Sequence, residues 1–192
     1  MIYIPKPEKE DYCTTRAYRP ITLADFVLKG LEKLVKWHTD DTGIGTNLEN
    51  QHAFTKGRSC DTALSSVVDL IERESMTGLY ALVVLMDNEG AFDNLSFSAI
   101  RKALREHGCD RDIEEWYGYL LENRIVTAEL NGCTATRRPT KGTPQGGILS
   151  PLAWNLVANT LYKEMDLGPS KVIKYADDDA LIVPGRIPAD MV

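Results

Sequence analysis

The sequence is short of several residues on which enzyme and scaffold chemistry often depends. Among its 192 residues there are three histidines, His38, His52 and His107, so clustered imidazole ligands and histidine acid–base relays have little to draw on. The four cysteines, Cys13, Cys60, Cys109 and Cys133, are widely spaced and form no C-x-x-C pair. Neither a thiolate zinc site nor a disulfide framework is indicated, and reduced thiols in an intracellular setting are the simplest reading. No apolar run approaches the roughly 18 residues of a membrane span, so no membrane partner is expected. The stretch from Met1 to Pro7 lacks the basic-then-apolar order of a secretory signal. There is no internal repeat and no low-complexity tract. Positive charge is not in excess either: 22 Lys and Arg stand against 28 Asp and Glu, a net charge of −6. That is a poor footprint for a protein that coats nucleic acid by itself.

The remainder is ordinary for a globular chain, with 43% hydrophobic and 26% charged residues, and the length suits one domain or a tight pair of subdomains. Ile2 to Ile4 reads as a short strand stopped by Pro5 and Pro7. Thr22 to Asp25 reads as a capping box, and Leu23, Phe26, Val27, Leu31, Leu34 and Trp37 fall at helical spacing, predicting an amphipathic helix over roughly 23–38. A second helix is expected over roughly 61–74, capped by Asp61, and the run Leu79 to Met86 reads as a strand buried on both faces. Two helices follow, over roughly 96–107 and 111–122. Alternation from Arg124 to Leu130 before Asn131-Gly132 predicts a hairpin. Ser150 and Pro151 suit the N-cap and first turn of a helix reaching about Glu164. Val172 to Tyr175 and Ala180 to Val183 read as a second hairpin with carboxylates at its tip. Helices and strands do not alternate strictly, which favours an α+β fold with a mostly antiparallel sheet packed on helices.

The acids are the informative feature. Asp87 ends the most hydrophobic segment, and Asp177, Asp178 and Asp179 lie between two apolar ones. Aspartate is depleted in strands and costly beside a core unless it is paired, hydrogen-bonded or metal-bound. If these segments share a sheet, the carboxylates converge and their ionised forms need cations. Hard oxygen donors suit Mg²⁺. On the acids alone, a turn and a strand end account for them as well as a metal site does.

A family pattern surrounds them. Tyr175-Ala176-Asp177-Asp178 resembles the tetrapeptide of the reverse transcriptase palm hairpin. Met86-Asp87-Asn88-Glu89-Gly90-Ala91-Phe92-Asp93 resembles that family's first catalytic-aspartate motif. The stretch Gly142 to Leu152 resembles its glutamine loop and following helix, Gln51 to Ser59 its fingers motif, and Tyr18 to Leu23 the motif before that. The five occur in family order and spacing over nearly the whole chain. They resemble the RNA-directed DNA polymerase of non-LTR (LINE-type) retrotransposons, and the run Leu149 to Leu156 leans toward jockey-like or related insect elements.

The resemblance implies a right-hand polymerase fold, with a fingers part over 1–78, including a basic hairpin region, and a palm over 79–192. It implies Asp87 and Asp177 as catalytic metal ligands supported by Asp178, with the Asn88 carbonyl as a further oxygen. Two Mg²⁺ ions are implied, Mn²⁺ being a possible substitute. Phe92, five residues after Asp87, would be the steric gate that excludes a 2′-hydroxyl; a core role is the alternative. Gln145 and Gly146 would line the nucleotide and template pocket, and Lys56 and Arg58 would neutralise the triphosphate, a solvated hairpin charge being the alternative for both. Lys6 and Arg19 are candidates for template contact, each open to the plainer reading of a surface cation. The implied partners are an RNA template, a DNA primer and a deoxynucleoside triphosphate, with action in the nucleus.

Two positions depart from the pattern. Asn88 stands where an aliphatic residue is expected, and Asp179 where Leu or another apolar residue is usual. Asp179 either adds a third charge at the tip or turns away, and both changes could be drift in a decaying copy. Thumb, endonuclease and RNase H regions have no counterpart in the chain, so the isolated piece is expected to be inactive or very weak. Three alternatives stand beside the polymerase reading: a non-catalytic palm remnant that binds nucleic acid or a partner, an intron maturase-type polymerase, and, less well supported, a two-metal nuclease.

Overall fold

A computed structural model of the chain describes residues 1–45, 48, 50–130, 132–164 and 167–186. By its contacts the chain falls into two units, each built from two separate stretches: Met1–Ile44 with Phe92–Ala153, and Gly45–Ala91 with Trp154–Val192. Every ladder between strands is antiparallel, and the mixture of such ladders with helices is the expected α+β class. Among the described residues no helix is long and apolar enough to cross a membrane.

The first unit opens with β1 (Ile2–Pro5) against β2 (Tyr18–Ile21), continues into α1 (Phe26–Asp41), and holds α4 (Phe97–Glu106), α5 (Arg111–Asn123) and the hairpin of β4 (Val126–Leu130) with β5 (Cys133–Arg137). The expected hairpin is present, while Asn131 of its turn lies outside the described residues. Ile100 and Leu104 of α4 and Tyr117 and Leu121 of α5 are buried. Arg105 reaches the buried Glu114 at 3.1 Å.

Helix α1 starts three residues later than its spacing predicts. Asp25, not Thr22, is the cap and accepts from the Val27 amide at 2.8 Å. The Thr22 amide donates instead to the Gln145 carbonyl, 2.8 Å away, which holds residue 22 out of the helix. The apolar stripe of α1 also faces outward: Phe26 is 88% exposed, and Leu31, Leu34 and Trp37 are exposed with it. The inward positions are Glu32 and Thr39. The cause lies at the start of α6 (Ser150–Glu164). Ser150, expected to cap it, donates its hydroxyl to the Pro144 carbonyl at 2.8 Å. The amide of Ile148 donates to Glu32 Oε2 at 3.3 Å instead, so a carboxylate from α1 satisfies donors that open this helix. Burial pushes the Glu32 carboxyl above its usual range, against the lowering effect of the Ile148 and Leu149 amides.

The second unit is a three-stranded sheet in the order β3 (Tyr80–Asp87), β7 (Asp178–Gly185), β6 (Lys171–Tyr175), with α2 (Cys60–Met76) on one face. Ala81, Val83, Ile173, Ala180 and Ile182 pack against Ala63, Val67 and Leu70 of α2. On the opposite face Tyr162 of α6, a helix that begins in the first unit, meets Asp179. Two expectations are corrected here. Asp61 does not cap α2; the cap is Ser59, two residues earlier, in a capping box with Thr62, because the hydroxyl pair satisfies two amides reciprocally. Strand β3 is not buried on both faces. Among the described residues it is an edge strand paired only with β7, Leu85 is 79% exposed, and Leu82, Val84 and Met86 are exposed as well. An unbroken apolar run reports hydrophobicity, not the number of neighbours a strand acquires.

Candidate active site

The sheet of the second unit brings its acids together through register. Asp87, the last residue of β3, is the partner of Asp178, the first of β7, and Asp178 is also the partner of Tyr175, the last of β6. Partners across an antiparallel ladder point to the same face, so Asp87, Asp178 and Tyr175 share one. A cavity of about 350 Å³ is lined by these three and by Cys60 and Leu64 of α2.

Ala176 and Asp177 make the turn between β6 and β7. Of the three acids expected at the hairpin tip, only Asp177 sits in the turn; Asp178 and Asp179 begin β7, since pairing with β3 continues to Asp87. Ala176 has φ 59°, a conformation unfavourable for a residue with a β-carbon. Two groups hold the turn there. The Trp154 indole donates to the Ala176 carbonyl at 2.7 Å. The Asp177 carbonyl accepts both the Asn88 amide and its side-chain Nδ2, each at 3.0 Å. Asn88, directly after Asp87, is thereby stapled to the turn that carries Asp177. The Asn88 carbonyl accepts from the Ala91 amide at 3.2 Å, and a carbonyl has a second lone pair.

Asp87, Asp177 and Asp178 are exposed, and no ion pair joins them to a cation among the described residues. Among those residues, no three His, Cys, Asp or Glu side chains form a ready-made metal cluster. An oxygen-only set that brings two facing carboxylates plus one in the adjoining turn fits Mg²⁺, which ordinarily takes one or two carboxylates and fills its shell with water and substrate phosphates. Asp179 turns away from the other acids. It is 5% exposed, and its Oδ2 accepts the Tyr162 hydroxyl at 2.5 Å and Asn88 Nδ2 at 2.7 Å. Burial pushes its carboxyl up, while those two hydrogen bonds and Lys174 pull it down.

Lys56 and Arg58, also in the second unit, do not lie on a β-hairpin. Residues 53–58 are turns leading into α2. Arg58 Nη1 donates to the carbonyls of Leu48 at 3.1 Å and Gln51 at 2.6 Å, and these bonds fold the segment back on itself where a strand would leave such carbonyls to a ladder. Lys56 is exposed.

The remaining candidates belong to the first unit. Gln145 donates from Nε2 to Asp93 Oδ2 at 3.2 Å. Its loop is clamped by the start of the helical segment before α4: the Thr143 amide donates to the Phe92 carbonyl at 2.8 Å and the Gly142 amide to the Leu95 carbonyl at 2.6 Å. Arg124 closes the clamp on the Gly142 carbonyl at 2.9 Å. Phe92 is half-buried on the short α3 (Ala91–Asn94), and Gly146 is exposed at φ 97°. A cavity of about 370 Å³ is lined by Asp93, Arg124, Lys141 and Gln145 among others. Burial pushes the Asp93 carboxyl up, opposed by Gln145, Arg124 and Lys6. Arg19 is exposed on β2 and Lys6 is half-buried.

Sequence reasoning missed Trp154, Tyr162, Lys174 and Asp93 as supports of these sites. Lys174 carried a signal, a lysine between apolar residues in a short strand. Trp154 and Tyr162 lie eight positions apart on α6, a spacing that puts both on one side of a helix.

The chain matches the profile of the family described as "Reverse transcriptase (RNA-dependent DNA polymerase)" over residues 4–188. It is 28% identical over 186 residues to a putative 115 kDa protein in the type-1 retrotransposable element R1DM of Drosophila melanogaster, covering 97% of this chain and 18% of that protein. It is 28% identical over 168 residues to a Pol polyprotein from the type-1 retrotransposable element R1 of Bradysia coprophila, covering 87% of this chain and 16% of that one. Among solved structures it resembles the apo telomerase of Candida tropicalis truncated from the C-terminal domain, with TM-score 0.56, 12% identity, and coverage of 85% of this chain and 34% of that one. The chain thus spans less than a fifth of the length of these two curated relatives.

Proposed function

The chain belongs to the reverse transcriptase (RNA-dependent DNA polymerase) family, and we propose that it supplies the fingers and palm of a retrotransposon polymerase that adds deoxynucleotides to a primer 3′-hydroxyl on an RNA template. The observation that carries this reading is the pairing of Asp87 with Asp178 beside the Asp177 turn. The reaction is an in-line displacement at the α-phosphate with pyrophosphate as the leaving group. Two divalent ions, Mg²⁺ or Mn²⁺ in its place, supply activation of the attacking oxygen and stabilisation of the leaving one.

The chain's own residues do the rest. Asp87 and Asp177, with Asp178 in support and the Asn88 carbonyl as a further oxygen, hold the ions. Their carboxylates are exposed and, among the described residues, joined to no cation, which supports that role. Phe92 excludes the 2′-hydroxyl, and Gln145 with Gly146 lines the nucleotide pocket. Lys56 and Arg58 neutralise the triphosphate; Arg58 keeps donors beyond the Nη1 that binds backbone. Lys6 and Arg19 contact template. A fingers part over 1–78, a palm over 79–192 and nuclear action belong to the same proposal, and the remaining regions of the longer protein supply thumb and endonuclease.

Primer extension on an RNA template, using a protein of the relatives' full length, tests the reading. Mg²⁺-dependent incorporation that disappears in Asp87→Asn is the expected result. Incorporation indifferent to that change overturns the metal assignment, and no metal-dependent turnover at all supports the non-catalytic alternative.

A further inference from the structure

Asn88, directly after Asp87, and Asp179, directly after Asp178, are in contact. Asn88 Nδ2 lies 2.7 Å from Asp179 Oδ2, and the same Nδ2 reaches the Asp177 carbonyl at 3.0 Å. Asp179 Oδ2 also takes the Tyr162 hydroxyl at 2.5 Å. Lys174, the register partner of Asp179, is 3% exposed and sets its ammonium 4.9 Å from the centre of the Tyr162 ring. A continuous polar chain therefore runs from α6 through Asp179 and Asn88 to the turn bearing Asp177.

Either side chain without the other is unfavourable. A buried aspartate without donors is strongly destabilising, as a lone buried charge is. An Asn amide facing an apolar residue there would lose one of its acceptors. Together they satisfy one another, and Lys174 supplies the compensating charge. We propose that Asn88, Asp179 and Tyr162 form a polar latch that fixes the end of β3 carrying Asp87 against the Asp177 turn. Asn88, Asp179 and Tyr162 act as positioning residues. The inference rests on the reading of Asp87 and Asp177 as metal ligands for its functional consequence, though not for its geometry.

A substitution cycle in the 192-residue chain tests the latch with two readouts. Asn88→Val, Asp179→Leu, their combination, and Tyr162→Phe are compared by Mn²⁺ titration, following the free ion by electron paramagnetic resonance. The second readout is the indole N–H resonance of Trp154, which reports the Ala176 turn through its hydrogen bond. The expected result is that each single change shifts the indole resonance and weakens Mn²⁺ binding at least fivefold. The combination, which puts an apolar pair in place of the polar one, is expected to return both readouts to within twofold or near the parent position. Additive effects in the combination, or single variants indistinguishable from the parent, overturn the latch. Should Asn88→Val or Asp179→Leu fail to fold, Tyr162→Phe removes one hydroxyl alone, and an unmoved indole resonance in that variant overturns the proposal. A parent chain that binds no Mn²⁺ overturns the metal reading instead, and the indole cycle then decides the latch by itself.

Discussion

Asp87 and Asp178 are partners across the β3–β7 ladder, the last residue of one strand against the first of the next. Like charges placed directly opposite each other destabilise a sheet by a few tenths to about 1 kcal/mol. The arrangement is costly for folding, and the proposed cations would relieve that cost.

Asp87→Asn should therefore separate the two effects. Primer extension by a full-length protein should fall by several orders of magnitude, because on the proposed metal role the remaining acids cannot replace the lost ligand. The melting temperature of the 192-residue chain should stay level or rise by about 1–3 °C at low salt as the repulsion is relieved. Calorimetry beside the extension assay checks this, and a large fall in melting temperature would mean that Asp87 is a structural residue.

Phe92→Ala should relax sugar selection. The ratio of ribonucleotide to deoxynucleotide incorporation should rise at least tenfold in single-nucleotide extension by a full-length protein. An unchanged ratio would leave the half-buried ring as packing alone.

Glu32→Gln should stabilise the chain at neutral pH. Burial raises the Glu32 carboxyl above its usual value, so the folded state holds this proton more firmly than the unfolded chain does. The ionised group then costs stability above the raised value; the cost shrinks as pH falls through it and is gone below the ordinary value of 4.5. One Glu32 oxygen, Oε1, has no hydrogen-bond partner, which adds to the cost of the charge. A gain of about 1 kcal/mol, or roughly 2–4 °C, is expected near pH 8 and should close toward pH 4.5 in thermal melts.

Gly142→Ala should distort the glutamine loop. Gly142 has φ 82°, and a β-carbon there would lie 2.6 Å from the Asp93 carbonyl oxygen. Backbone cannot yield as a flexible side chain can, so a loss of about 2 kcal/mol or more is expected in denaturant melts. Since Gln145 is anchored to the neighbouring Asp93 carboxylate, KM for the nucleotide should rise more than kcat falls in a full-length protein.

The hairpin carrying Asp177, the helices near 97–123 and the α+β class were legible because each rests on local signals: apolar period, Asn-Gly, and turn-forming aspartates. What escaped was set by partners distant in the chain. The start of α1 depends on Gln145, more than a hundred positions away, and its inward Glu32 on the amide of Ile148. The exposure of β3 depends on strand order, which hydrophobicity does not encode. The acids were identifiable individually, whereas Asp179 facing away from Asp178 followed only from register. The basic segment at Lys56 and Arg58 resisted reading because Arg58 binds backbone carbonyls, a use of arginine that leaves no pattern in sequence.

No described strand lies beside the outer edge of β3. From Tyr80 to Met86 that edge carries neither proline nor a charged residue, the two devices that usually discourage strangers from adding a strand. Produced by itself, the chain would offer every other copy a ready template for intermolecular pairing, so poor solubility would follow from topology and not from misfolding. A lysine introduced at Val84 would blunt that edge at little cost to the interior, and would make the isolated domain more tractable to handle at high concentration.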